Sequence, residues 1–202
     1  MNGTKNVADP NPGVSLVRRK YLDVLRQIVV AMVQRRTLEM YQLCEENVRE
    51  REPDALEKYA LLRARIAALA EDMRKVEERG QDMVGVRALL GCEPEPVIRL
   101  VVALLVGKAL SSSVADKFDG PTDLAELATG TASPKDLLTV REAFANPGGV
   151  LRLHCHIYLF RTVDQSKRVS LTERALRTVL GLDQAPAAEF EILAARDGWR
   201  HE

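Results

Sequence analysis

The chain has 202 residues, 29 basic and 29 acidic side chains, 46% hydrophobic content and only 4% aromatic content. That length holds one large domain or two small ones, and the balanced charge excludes the broad electropositive surface that holds nucleic acid or anionic lipid. Leu, Val and Ala with few aromatics suit packed helices better than a large sheet.

Met1 to Gly13 is polar and holds Pro10, Pro12 and Gly13, the opposite of a secretory signal, so residues 1–14 read as a flexible arm. Ser15 stands as an N-cap, and the lack of Gly and Pro from there to Arg51 permits one helix of about 35 residues. Val17, Tyr21, Val24, Ile28 and Ala31 follow a coiled-coil rhythm that Arg35 interrupts before Leu38 resumes it. Arg35 either fixes register or faces solvent. Glu52, Pro53 and Asp54 break the helix. A second helix over Asp54 to Arg79 carries Tyr59, Leu62, Ile66, Leu69, Met73 and Val76 in the same rhythm, and Gly80 supplies its stop. Residues 15–90 therefore read as an antiparallel hairpin or coiled coil. Two helices alone leave apolar surface wet, so the stripe from Tyr59 to Val76 reads as an oligomer seam and the chain as a homo-oligomer. Plain core is the simpler account of the same residues.

Gly91 to Pro96, GCEPEP, reads as a linker to a second domain over residues 97–182. The apolar stretch Val97 to Leu110 contains Arg99 and Lys108 and is too short for a membrane span. It reads as a helix to about Ser112, followed by helices over Thr122 to Ala128 and Pro134 to Phe144 with Ser133 as a cap. Asn146 to Gly149 end that run. Leu151, Leu153, Cys155, Ile157 and Leu159 then alternate with Arg152, His154, His156, Tyr158 and Phe160, the pattern of a strand with one buried face. Thr162 to Lys167 is turn-like, Arg168 to Leu171 suits a returning strand, Thr172 to Leu180 a last helix closed by Gly181, and residues 183–202 a tail. The expected fold class is mainly α: a long antiparallel helical hairpin plus a winged-helix-like α+β domain.

FANPGGVLRLHCHIYL followed by SLTERALRTVLG, within Asp136 to Gly181, resembles the winged-helix region that precedes the motor in certain bacterial AAA ATPases, including those associated with contractile injection systems. Leu171, Glu173, Arg174, Val179, Leu180 and Gly181 match the closing helix of that region. The resemblance implies a regulatory or adaptor role beside an ATPase motor, with the motor or its substrate as protein partner. A phosphate-binding loop needs a glycine five residues before a Gly-Lys-Ser or Gly-Lys-Thr, and this chain has only Gly107-Lys108-Ala109. The chain is therefore expected to hydrolyse no nucleotide, to hold no cofactor and to be no enzyme.

Cys44, Cys92 and Cys155 lie far apart with no CxxC pair, which suggests neither disulfides nor a thiolate zinc site and fits a reducing, cytoplasmic compartment. On a strand, His154 and His156 face away from Cys155, so the three cannot share one metal ion and Cys155 reads as a core thiol. The pairs Glu45 and Glu46, Glu71 and Asp72, and Glu77 and Glu78 read as solvated helix faces. Arg152, Arg161, Lys167, Arg168, Arg174 and Arg177 form a modest basic cluster around the wing, and Trp199 is a docking anchor or a cover for the core. The alternative function is a dimeric winged-helix transcription regulator. Against it, the third helix balances Lys135 and Arg141 with Asp136 and Glu142.

Overall fold

Five of the seven described helices begin on a proline. Proline lacks the N–H that would be unbonded at a helix start anyway, and its fixed φ already suits the helix. The helices are α1 (Pro12–Leu38), α2 (Pro53–Arg79), α3 (Val86–Leu90), α4 (Pro96–Leu110), α5 (Pro121–Thr129), α6 (Pro134–Ala145) and α7 (Glu173–Val179). An antiparallel ribbon of β1 (Cys155–Leu159) and β2 (Lys167–Leu171) lies between α6 and α7. The computed structural model describes residues 12–39, 53–80, 84–111, 114, 121–130, 134–159 and 167–182. The first helix thus starts at Pro12, and Ser15, expected as its cap, lies in its first turn. Its expected continuation to Arg51 falls on residues 40–51, outside the described residues.

α1 and α2 run antiparallel: Tyr21, early in α1, bonds Glu77, late in α2, while Tyr59, early in α2, bonds Glu39 at the end of α1. Tyr21, Leu25, Ile28 and Met32 of α1 are fully buried. In α2, Ile66, Met73 and Val76 are buried, Leu62 and Leu69 pack partly against the same core, and Tyr59 is half-buried. The stripe expected as an oligomer seam is therefore the inner face of the hairpin. The reason is α4, which packs on both α1 and α2 and supplies the cover that two helices lack.

α4 decides the architecture. Eleven of its 15 residues are buried, and a helix apolar on every side needs neighbours all round. α1 and α2 pack against it from the hairpin, and α5, α6 and β2 from the second half. Gly107 allows α1 and α4 to approach closely, since a Cβ there would stand 2.8 Å from Val29 Cγ1. One continuous core results, running from Tyr21 to Leu182. The boundary expected at Gly91 to Pro96 is thus a turn within a shared core, and residues 15–90 and 97–182 do not have separate ones. The chain also closes on its beginning, as Arg18 Nη2 donates to Gly181 O at 2.8 Å and Gly85 N–H to Val179 O at 2.8 Å.

The ribbon is shorter than its alternation suggested. Arg152 N–H donates to Gly149 O at 3.0 Å and His154 N–H to Leu151 O at 3.1 Å, so residues 151–154 form turns. Leu151 is fully buried but Leu153 is 80% exposed. The two-residue period begins at Cys155, which pairs with Leu171, and Ile157 pairs with Val169. Thr172 caps α7 by accepting the Ala175 N–H at 3.1 Å. No described helix is long and apolar enough to cross a membrane.

Candidate functional site

The most concentrated polar chemistry lies inside the core. Glu77 is fully buried and Arg99 is 4% exposed. Glu77 Oε1 accepts the Val86 N–H at 2.9 Å and the Tyr21 hydroxyl at 3.3 Å; Oε2 accepts Arg99 Nε at 3.2 Å and Nη2 at 3.0 Å. Arg99 Nη2 also donates to Glu93 at 2.8 Å. Gly85 closes the site at φ +99, where a Cβ would stand 2.4 Å from Glu77 Cγ. Burial pushes the Glu77 carboxyl above its usual range, against the pull of Arg99 and the Val86 N–H. Burial likewise raises the Tyr21 phenol, and the Glu77 charge beside it adds to the rise. For Arg99 burial opposes the charge, but Glu93 and Glu77 outweigh it and the guanidinium is held protonated. Both carboxylate oxygens are engaged twice, so the cluster joins α1, α2, α3 and α4 and presents no open lone pair to a substrate.

A second buried cluster joins the far end of the hairpin to the turn after α5. Arg35, 2% exposed, donates through Nη2 to Leu127 O, in the last turn of α5, at 2.5 Å. Its Nε, which has no hydrogen-bond partner among the described residues, lies 3.7 Å from Glu39. Burial lowers the Arg35 pKa, and Glu39 opposes that shift. Arg36 bonds Glu126 at 2.9 Å. Gly130 makes the junction possible with φ +77, since a Cβ would meet the Tyr59 hydroxyl at 2.8 Å. Arg35 does not face solvent; it caps the C-terminal end of α5 from within the core.

Sequence reasoning missed these clusters in part. Glu77, read with Glu78 as a solvated pair, is buried while Glu78 is exposed. The signal was present: Glu77 lies one turn after Met73 on the core face, and the one arginine in the first turn of an otherwise apolar α4 requires a carboxylate. The Glu71 and Asp72 pair does lie at the surface, with Glu71 bonded to Arg74.

Of the interaction residues expected around the ribbon, the side chains of Arg152, Arg174 and Arg177 are described. Arg152 is exposed and reaches Phe144 O, in the last turn of α6, at 3.4 Å. Arg177 reaches Leu182 O at 3.1 Å past the end of α7. Both place positive charge at a helix C-terminus, where carbonyls lack partners. Arg174 is exposed. It adds to burial in lowering the His154 pKa. Lys167 and Arg168 lie in β2, their side chains outside what is described; Arg161 and Trp199 lie outside the described residues altogether.

His154 sits in the turn before β1, and among the described residues no group of His, Cys, Asp and Glu is placed to hold a metal ion. Cys155 is buried, and burial raises its thiol to about 12. Gly107, Lys108 and Ala109 are helical and lie within α4, so that run forms no phosphate loop.

α5 and α6 are consecutive helices that pack against each other. The outward positions of α6 include Lys135, Leu138, Arg141 and Glu142, and Leu138 is 55% exposed. Beside this helix lies an open cleft of about 480 Å³ between the α3–α4 turn and the end of α6. Comparison of the chain with protein-family models, with curated proteins and with solved structures finds no match.

Proposed function

We propose that this chain is a non-catalytic regulatory or adaptor module of an AAA ATPase system, which docks protein through its α6 face and assembles through its hairpin. The observation that carries the docking reading is the outward surface of α6. It sets an exposed leucine beside Lys135, Arg141 and Glu142, a surface of mixed charge with one net positive, which suits a protein contact and gives little counterion release on a phosphate backbone. The ATPase partner rests on the sequence resemblance from Asp136 to Gly181. Assembly is supported by the outer face of α2, where Leu56 and Leu61 are 66% and 63% exposed and Ala60, Ala64, Ala67 and Ala68 are exposed beside them.

A photo-crosslinker at Leu138, used in the source cells, tests the reading. The expected adduct is a polypeptide whose sequence, read by mass spectrometry, carries a phosphate-binding loop. Adducts to DNA would overturn it. The transcription-regulator alternative is favoured by the packed α5–α6 pair and by exposed Arg152 and Arg174. It requires tight binding to random duplex DNA with a steep salt slope in a gel shift.

A further inference from the structure

The cleft beside α6 has an apolar floor and an acidic rim. Ile98 and Ala143 are 3% and 5% exposed, and Val150, at 44%, forms an aliphatic wall open to water. Three carboxylates, Glu93, Glu95 and Glu142, line it, and among the described residues no Lys, Arg or His does. Glu93 already holds Arg99. No ion pair among the described residues engages Glu95 or Glu142, so a cation arriving there displaces no intramolecular partner. The walls are set in advance. Pro94 and Pro96 fix the α3–α4 turn, while Gly149 N–H bonds Asn146 O at 2.9 Å and Leu151 N–H bonds Ala143 O at 3.1 Å.

We propose that this cleft docks a short extended segment of a protein partner in which an aliphatic side chain is followed within a few residues by Lys or Arg. The proposal rests on the docking reading above and names its site and ligand chemistry. The volume falls in the range of pre-formed ligand sites, about 300–1,000 Å³. An aliphatic side chain covers Ile98, Ala143 and Val150, and the following cation meets Glu95 and Glu142. An acidic segment meets the same rim with like charge and is refused. A polyamine matches the rim but has no branched apolar body for the floor.

The test is a two-dimensional amide NMR titration of the full chain with the capped peptide Leu-Lys-Leu-Arg-Leu, and with Leu-Glu-Leu-Glu-Leu and spermidine in parallel. The basic peptide is expected to shift amides within residues 92–98 and 139–150, saturating on the order of 10⁻⁴ M. Glu95→Gln with Glu142→Gln is expected to weaken it about tenfold, as is about 0.5 M sodium chloride. Shifts spread over the surface without saturation, equal binding by the double variant, or equal occupancy by the acidic peptide or spermidine would each overturn the proposal. If the cleft stays silent while Leu138 still crosslinks to an ATPase, the cleft is lost and the docking reading stands. Peptide binding in the cleft with DNA adducts at Leu138 leaves the cleft and removes the ATPase reading.

Discussion

Replacing Glu77 by Gln keeps the shape of the central buried cluster and removes its charge. The amide oxygen can still accept from Val86 N–H and Tyr21, now 2.9 and 3.3 Å from Oε1. The amide NH₂ then replaces Oε2 and faces Arg99 Nε and Nη2, which stand 3.2 and 3.0 Å away, donor against donor. Arg99 remains charged and 4% exposed, with Glu93 as its remaining carboxylate. Removing one partner of a buried pair costs about 3–5 kcal/mol. Glu93 retains part of that, so a loss of about 3 kcal/mol is expected, a large fraction of a total stability of roughly 5–15 kcal/mol. Urea unfolding followed by circular dichroism measures it, with the midpoint falling and the slope unchanged. Arg99→Met in the Glu77→Gln background removes the uncompensated cation, and the cycle should show coupling of at least about 1.5 kcal/mol. A loss below about 0.5 kcal/mol for Glu77→Gln, or simple additivity of the two changes, would refute the buried-pair reasoning.

Gly85→Ala is expected to destabilise by at least about 2 kcal/mol, because φ +99 is strained for alanine and its Cβ would displace Glu77. Gly148→Ala, with nothing within 4 Å of its Cβ, should stay within about 0.5 kcal/mol in the same urea assay. Arg35→Met should speed amide exchange at Thr129 and Gly130 at least tenfold, since a charged hydrogen bond to Leu127 O is worth about 1.5–3 kcal/mol; exchange raised equally across the molecule would mean the cap is not local. His154 is held below its ordinary 6.5 by burial and by Arg174. Below that value the unfolded chain binds a proton that the folded chain resists, so stability should fall as pH drops through 6.5. Melting midpoints at two pH values should show a smaller acid-dependent drop in His154→Gln than in the unaltered protein.

Local chemistry written in the sequence set the ends of most elements. Pro53 and Pro134 open helices where the chain's amide pattern requires a start, Thr172 caps α7, and the stripe on α2 has the spacing of a buried face whatever covers it. Those rules involve a few neighbouring residues. The polar clusters were less legible because their partners are 22, 56 and 92 residues apart along the chain. A carboxylate beside another carboxylate reads as surface until a distant arginine is known to reach it. Leu153 failed the strand pattern because the turns closed by Arg152 N–H on Gly149 O and His154 N–H on Leu151 O leave its side chain exposed.

Sequence alone determined that the chain is mainly helical, where most of its helices begin to within a few residues, and that two amphipathic helices need a cover. Only the tertiary structure decided what that cover is. α4 is apolar on every side and cannot remain in water, so it draws the hairpin onto one flank and α5, α6 and the ribbon onto the others. That burial turns an expected seam between subunits into the interior of one chain, and it brings Arg99 against Glu77 where each charge is held by the other.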